Sequence, residues 1–139
     1  MRLPLLRTRR IAFGLFAGAL FVGTHIPNLR VNVATIQRPD LVIHLLAFGG
    51  WFAFLLVAEF VGPWRSTRSI GLCALIAGAY AIMDEYSQTI PLLGRTAAFD
   101  DLTANLSGIV LTAIGALVLA RLWRPRPAPP LTPAAPGSR

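Results

Sequence analysis

Lysine is absent from this 139-residue chain, and cysteine occurs once, at Cys73. A single cysteine excludes an intrachain disulfide and any CxxC metal or redox motif. Charge of either sign is scarce. Charged residues make up 14% of the chain, against roughly a quarter in an ordinary soluble domain. With 55% hydrophobic residues and a mean hydropathy of +0.62, few polar groups remain to cover a water-facing globule. Acids are scarcest of all: six, against 13 basic residues that are all arginine, for a net charge of +7. Neither a metal-ligand spacing such as HExxH nor a nucleophile elbow occurs. A pI near 11.5 would suggest nucleic acid if the arginines lined one face. Instead they flank long apolar runs, so no nucleic-acid partner is expected.

What the chain does have is four apolar stretches, over residues 11–26, 41–62, 70–90 and 102–123. The second and fourth would each form about 33 Å of helix at 1.5 Å per residue, matching a hydrocarbon core of about 30 Å. The third is as long, but its last turns carry Asp84, Glu85 and Gln88. The first is short and spans only marginally. Helix is the default inside lipid, because each backbone group must find its partner locally. Pro27, Pro39, Pro63 and Pro91 fall between the stretches, where helices start or stop. The expected fold is therefore all-α: a polytopic bundle of four transmembrane helices within residues 1–124. The Pro/Ala-rich segment 125–139 is expected to be a disordered cytoplasmic tail. Residues 1–27 also have the layout of a signal peptide. An uncleaved helix is preferred, because Gly14 and Gly18 form a GxxxG pair suited to close packing.

Arginine counting sets the orientation. With the N-terminus inside, the inner side holds Arg2, Arg7, Arg9, Arg10, Arg65, Arg68, Arg121, Arg124, Arg126 and Arg139, and the outer side holds Arg30, Arg38 and Arg95. Both termini are thus expected in the cytoplasm. Five of the six acids then fall on the outer side: Asp40, Asp84, Glu85, Asp100 and Asp101. Glu59 alone lies near the inner face, where it is expected to snorkel beside Arg65.

Helical spacing groups the outer polar residues. Asp40 and His44 are four apart and share a face, as do Asp101 and Asn105. Asp84, Glu85 and Gln88 close the third helix at the same level. Below them run seams of small residues, Ala81–Gly78–Ala74–Gly71 and Gly108–Thr112–Gly115, which predict close packing of helices three and four. These seams would serve a homo-oligomer as well as an intrachain bundle. Trp51 and Phe54, on the His44 face, fit core packing or lipid contact.

Each polar residue also has a plain structural reading. Asp40 and one of Asp100 and Asp101 fit helix N-caps. Asn105 and His44 fit interhelical hydrogen bonds, His25 fits an interfacial position, and Arg95 fits a loop-pinning ion pair. Asp84 and Glu85 fit such readings least. They are adjacent like charges at a helix C-terminus, where the macrodipole disfavours anions. Ionisable groups at membrane depth are functional candidates by default.

The run Asp84-Glu85-x-x-Gln88, Pro91, Gly94-Arg95, Asp101-x-x-x-Asn105-x-x-Gly108 resembles the signature of the VanZ-like family of bacterial membrane proteins. Asp40-x-x-x-His44 resembles the family's other motif, with Leu41 and Phe48 in place of its usual Lys and Tyr. The resemblance covers helices two to four. It implies a small multi-pass protein of the bacterial plasma membrane, associated through its founding member with low-level teicoplanin resistance.

The functional cluster expected is Asp40, His44, Asp84, Glu85, Gln88, Arg95, Asp101 and Asn105, with Gly94 and Gly108 serving geometry. These side chains are expected to converge at the outer boundary. They would bind a cell-envelope ligand such as a lipid-linked wall precursor or a glycopeptide, with Arg95 holding a phosphate or carboxylate. The alternative is a membrane-embedded enzyme, with His44, Asp84, Glu85 and Asp101 as acid/base groups or ligands of a divalent metal. No particular cofactor is indicated. A proton or ion path fits least, because the inner halves of helices three and four are nearly all apolar.

Overall fold

The computed structural model describes residues 2–26, 37–90 and 98–123, and over these the protein is all-helical. The helices are α1 (Arg2–His25), α2 (Pro39–Val57), α3 (Thr67–Ser87) and α4 (Phe99–Leu122). The segments carrying Pro27, Pro91, Gly94 and Arg95, and the tail 125–139, lie outside the described residues.

Element boundaries differ from the hydropathy pattern for local reasons. α1 begins nine residues before its apolar run. Arginine is a good helix former and Pro4 is tolerated in a first turn, so helix continues through the basic segment. α2 stops at Val57, short of the apolar run's end. There the backbone turns through Glu59 at φ 54° and Gly62 at φ 138°. Such left-handed conformations end a helix. Glu59 adopts one despite its Cβ, and its side chain accepts the Trp64 backbone N–H at 3.2 Å, which fixes the turn.

The first turns also correct an expectation. Arg38 and Ala98 occupy the N-cap positions of α2 and α4, and neither forms a side-chain cap. Asp40, Asp100 and Asp101 sit two or three positions further in, within the first turns, where their charge meets the positive end of the helix dipole. Pro39 occupies the start of α2, where its missing N–H costs nothing.

α2 is the centre of the bundle. Its Phe48, Trp51, Phe52, Leu55 and Leu56 join Ile70, Cys73, Ala77 and Ala81 of α3 and Ile109, Ala116 and Ala120 of α4 in one core. Trp51 stacks on Tyr80 at 4.7 Å with the rings 6° apart, and Phe54 stacks on Phe16 of α1 at 4.9 Å. Both aromatic residues therefore pack within the bundle.

The closest helix pair is α2 with α4, where α3 with α4 was expected. Gly49 and Gly108 meet backbone to backbone, and a Cβ on Gly108 would run into the Leu45 carbonyl. The seam Asn105–Gly108–Thr112 thus faces α2. Gly71 and Gly115 have open space beside them, and Gly78 reaches only the Leu106 side chain at 3.9 Å. Gly14 and Gly18 likewise touch nothing within 4 Å, so the GxxxG pair packs no neighbour among the described residues. Glycine pairs bring helices together only where both stripes face each other at one level. Gly49 and Gly108 satisfy that condition.

α2 and α4 are long and apolar enough to cross a membrane, each with a mean hydropathy of 2.0 over its most apolar window. The core helix of a soluble protein can match this, but it would be mostly buried. Here only 33% and 22% of the two windows are buried. Much of the remaining apolar surface faces outward, including Leu75 and Leu15, each 72% exposed. Apolar surface on that scale suits contact with lipid.

Candidate functional site

The end of α1, the start of α2, the end of α3 and the start of α4 bring their polar residues to one end of the bundle. Thr24, Asp84, Glu85, Gln88 and Asn105 are buried there among apolar neighbours.

Asp84 and Glu85 are adjacent, but successive helical positions are about 100° apart. They therefore serve different neighbours. Asp84 points to α1. Its Oδ1 accepts the Thr24 hydroxyl at 2.9 Å, and its Oδ2 accepts the Gln88 amide at 3.2 Å. His25 Nδ1 lies 3.9 Å from the same carboxylate. That nitrogen is 2.8 Å from the Phe21 carbonyl oxygen. A carbonyl only accepts, so Nδ1 carries a proton. The other ring nitrogen meets the Ser87 hydroxyl at 2.8 Å.

Glu85 points to α4. Its Oε1 accepts the Ala98 backbone N–H at 2.6 Å, tying the end of α3 to the start of α4. Its Oε2 is buried with no partner among the described residues.

In a second group, His44 Nδ1 lies 2.9 Å from Asn105 Oδ1 and Nε2 lies 3.8 Å from Asp101 Oδ2. Asn105 is fully buried, and its Nδ2 has no partner among the described residues. Whichever way the amide is turned, one end meets the imidazole and the other is left over. A buried polar group without a hydrogen bond costs about 1–3 kcal/mol. Glu85 and Asn105 each carry such an atom at this one end of the bundle.

Beside the cluster a cleft of about 300 Å³ opens between α1 and α2. Thr24, Asp40 and His44 lie at its polar end, and Phe16, Leu20 and Phe48 line the apolar remainder. The arrangement is amphipathic, with imidazole and carboxylate groups at one end and a sleeve of ring and aliphatic carbon below.

Of the sequence-derived residues, Asp84 and Gln88 form one group with Thr24 and His25; His44, Asp101 and Asn105 form a second; and Glu85 bonds the Ala98 N–H. All lie at the same end of the bundle. Asp40 touches the cleft, but its carboxylate pairs with Arg38 at 3.1 Å, and Arg38 also reaches Asp100 at 3.5 Å. The hydrogen bond and charge of Asp40 hold the Arg38 guanidinium above its ordinary range. This group stands in solvent, where exposed pairs contribute little. Arg38→Ala is expected to leave the melting temperature of the purified protein unchanged within measurement error. Gly108 lies below the cluster at the α2–α4 contact. Arg95 and Gly94 are outside the described residues. Among the described residues no three His, Cys, Asp or Glu side chains gather as metal ligands would, so His44, Asp84, Glu85 and Asp101 do not form one such group.

Thr24, His25 and Ser87 belong to the cluster without having been expected there. A signal was present: Thr24-His25 ends an apolar run whose end lies at the same level as Asp84 and Asp101. Compared with known family models, curated proteins and solved structures, the chain matches none.

Proposed function

We propose that this chain is a four-span, VanZ-like protein of the bacterial plasma membrane that binds an amphiphilic cell-envelope ligand at its outer end. The observation that carries this reading is the amphipathic site: a polar cluster drawn from all four helices, beside an apolar cleft. A lipid-linked wall precursor or a lipid-bearing glycopeptide has the same division, with a hydrogen-bonding head and a hydrocarbon chain. His44 and Asp40, at the polar end of the cleft, would meet head-group donors and acceptors, with Asn105 and Asp101 positioning the imidazole from behind.

Burial also supports spans by α1 and α3, whose hydropathy is lower. The acids of α3 face the bundle, so they present no charge to lipid. The arginine bias places the cluster outside. Resistance to teicoplanin-type compounds is the phenotype that the VanZ-like resemblance suggests.

The test is gene deletion followed by measurement of lipoglycopeptide sensitivity and of wall-precursor pools. Altered sensitivity or pools, restored by the wild-type gene and not by Asn105→Ala expressed at equal level, is the expected outcome. An unchanged deletion strain on both measures would overturn the proposal. The imidazole–carboxylate pair His44–Asp101 beside Glu85 favours one second reading, acid/base catalysis on a lipid-linked substrate. Conversion of a precursor by purified protein would select it.

A further inference from the structure

The opposite end of the bundle holds a second pocket of different chemistry. Its volume is about 320 Å³, and it is lined by Leu5, Leu6 and Arg9 of α1 and by Glu59, Trp64 and Arg65 of the turn joining α2 to α3. Under the arginine bias this end lies at the cytoplasmic leaflet.

The arginines here have distinct partners. Arg10, next to the pocket, donates to the Ala58 carbonyl at 3.3 Å and lies 5.0 Å from the Phe60 ring centroid. It is committed to joining α1 to the end of α2. Arg65 lies against the Trp64 and Trp123 rings at 5.0 and 5.3 Å. Neither contact is a hydrogen bond, so the Arg65 N–H donors remain available to a ligand. Neither Arg9 nor Arg65 forms an ion pair among the described residues. Glu59, the one acid at the pocket, is held by the Trp64 backbone N–H and neutralises neither of them. Glu59 and Arg65 line the same pocket, so the acid lies near that arginine as the sequence suggested.

Two guanidiniums against one carboxylate, with no ion pair among them, leave this concave site with an excess positive charge that suits an anion. Their surroundings specify its source. Leu5 is 53% exposed and Leu3 82% exposed on the same helix turns. Trp64 and Trp123 meet edge to face at 5.9 Å. Tryptophan at this level marks the head-group region of a bilayer. A free phosphate would have no use for this apolar shoulder, whereas a phospholipid would place its upper acyl chains against it.

We propose that this pocket binds the phosphate of an anionic phospholipid head group, with Arg9 and Arg65 as its donors and Leu5 and Leu6 against the chains. The site depends on membrane placement of the bundle and is independent of the outer cluster. Asn105→Ala should therefore leave it intact, whatever that variant does to envelope phenotypes.

The experiment is native mass spectrometry of the full-length chain purified in detergent and titrated with phosphatidylglycerol. Diacylglycerol and inorganic phosphate serve as separate competitors. Charge-assisted hydrogen bonds are worth enough that Arg9→Gln and Arg65→Gln should each weaken phosphatidylglycerol retention at least about tenfold. Arg7→Gln removes an exposed basic residue that does not line the pocket. It should cost no more than about fivefold, the worth of one diffuse charge near an anionic surface. Retention of monodisperse elution and melting temperature shows that each variant is folded. Equal losses for all three variants would reduce the effect to diffuse attraction and overturn the built site. Displacement by inorganic phosphate at matched concentration would overturn the lipid assignment. Competition by diacylglycerol as strong as that by unlabelled phosphatidylglycerol would overturn the role of the phosphate.

Discussion

Gly108→Leu is expected to abolish the folded bundle, and Gly108→Ala to lower its stability by about 1–3 kcal/mol, the usual cost of overpacking. The obstacle is backbone. A Cβ on Gly108 points at the Leu45 carbonyl and lies 3.1 Å from the Gly49 nitrogen, so no side-chain rotation relieves it. The α2–α4 pair must separate, and the His44–Asn105 contact one turn away separates with it. Gly49→Ala should cost less. Its new methyl meets the Thr112 hydroxyl at 2.8 Å, which can rotate, although the Gly108 carbonyl at 3.0 Å resists further approach. Gly14→Ala, Gly18→Ala and Gly115→Ala add a methyl to open space. They should be neutral or slightly stabilising, because alanine is the better helix former. Thermal unfolding in detergent, followed by size-exclusion chromatography, gives the order. If Gly14→Ala proved as damaging as Gly108→Ala, the α2–α4 contact would not be the one that sets this bundle.

The second large effect separates two neighbouring acids by what each is for. Asp84→Ala is expected to cost about 1–3 kcal/mol of stability, because it strands the buried Gln88 amide donor, while the Thr24 hydroxyl keeps the Phe21 carbonyl at 3.1 Å. Asp84→Asn, which keeps one acceptor oxygen, should cost less. Glu85→Gln should behave differently. The amide oxygen can still accept the Ala98 N–H, and the atom replaced is the one without a partner. Stability should change by less than about 1 kcal/mol, while complementation of the deletion phenotype is lost. A Glu85→Gln protein that unfolds as readily as Asp84→Ala would make Glu85 a structural residue and remove the centre of the proposed site. Melting temperature and complementation, measured on the same set of variants, decide between these outcomes.

The placement of the acids was readable before any coordinates because it depends on chain direction alone. In an up-and-down bundle, the end of one helix and the start of the next share a level. Counting arginines then says which level is which. His44, Asp84, Glu85, Gln88, Asp101 and Asn105 could be grouped on that basis. Partner choice was not readable. Asn105 meets His44 where small-residue seams suggested α3, and Asp84 meets Thr24 and His25 of α1. Asp40 shows the same limit. Its spacing is compatible with a cluster, yet its carboxylate pairs with Arg38.

The linear pattern therefore determined the helical class, two apolar helices of membrane-crossing length and the end at which polar residues collect. Those properties follow from composition and order, since burial of apolar length and local hydrogen bonding are one-dimensional requirements. Tertiary structure decided which glycine stripe meets which, that α1 supplies Thr24 and His25, and which polar atoms stay unpartnered. Each of these depends on the rotation of a helix about its axis and on its neighbours. Several faces here carry small residues, so periodicity leaves that rotation undetermined until two backbones, at Gly49 and Gly108, touch.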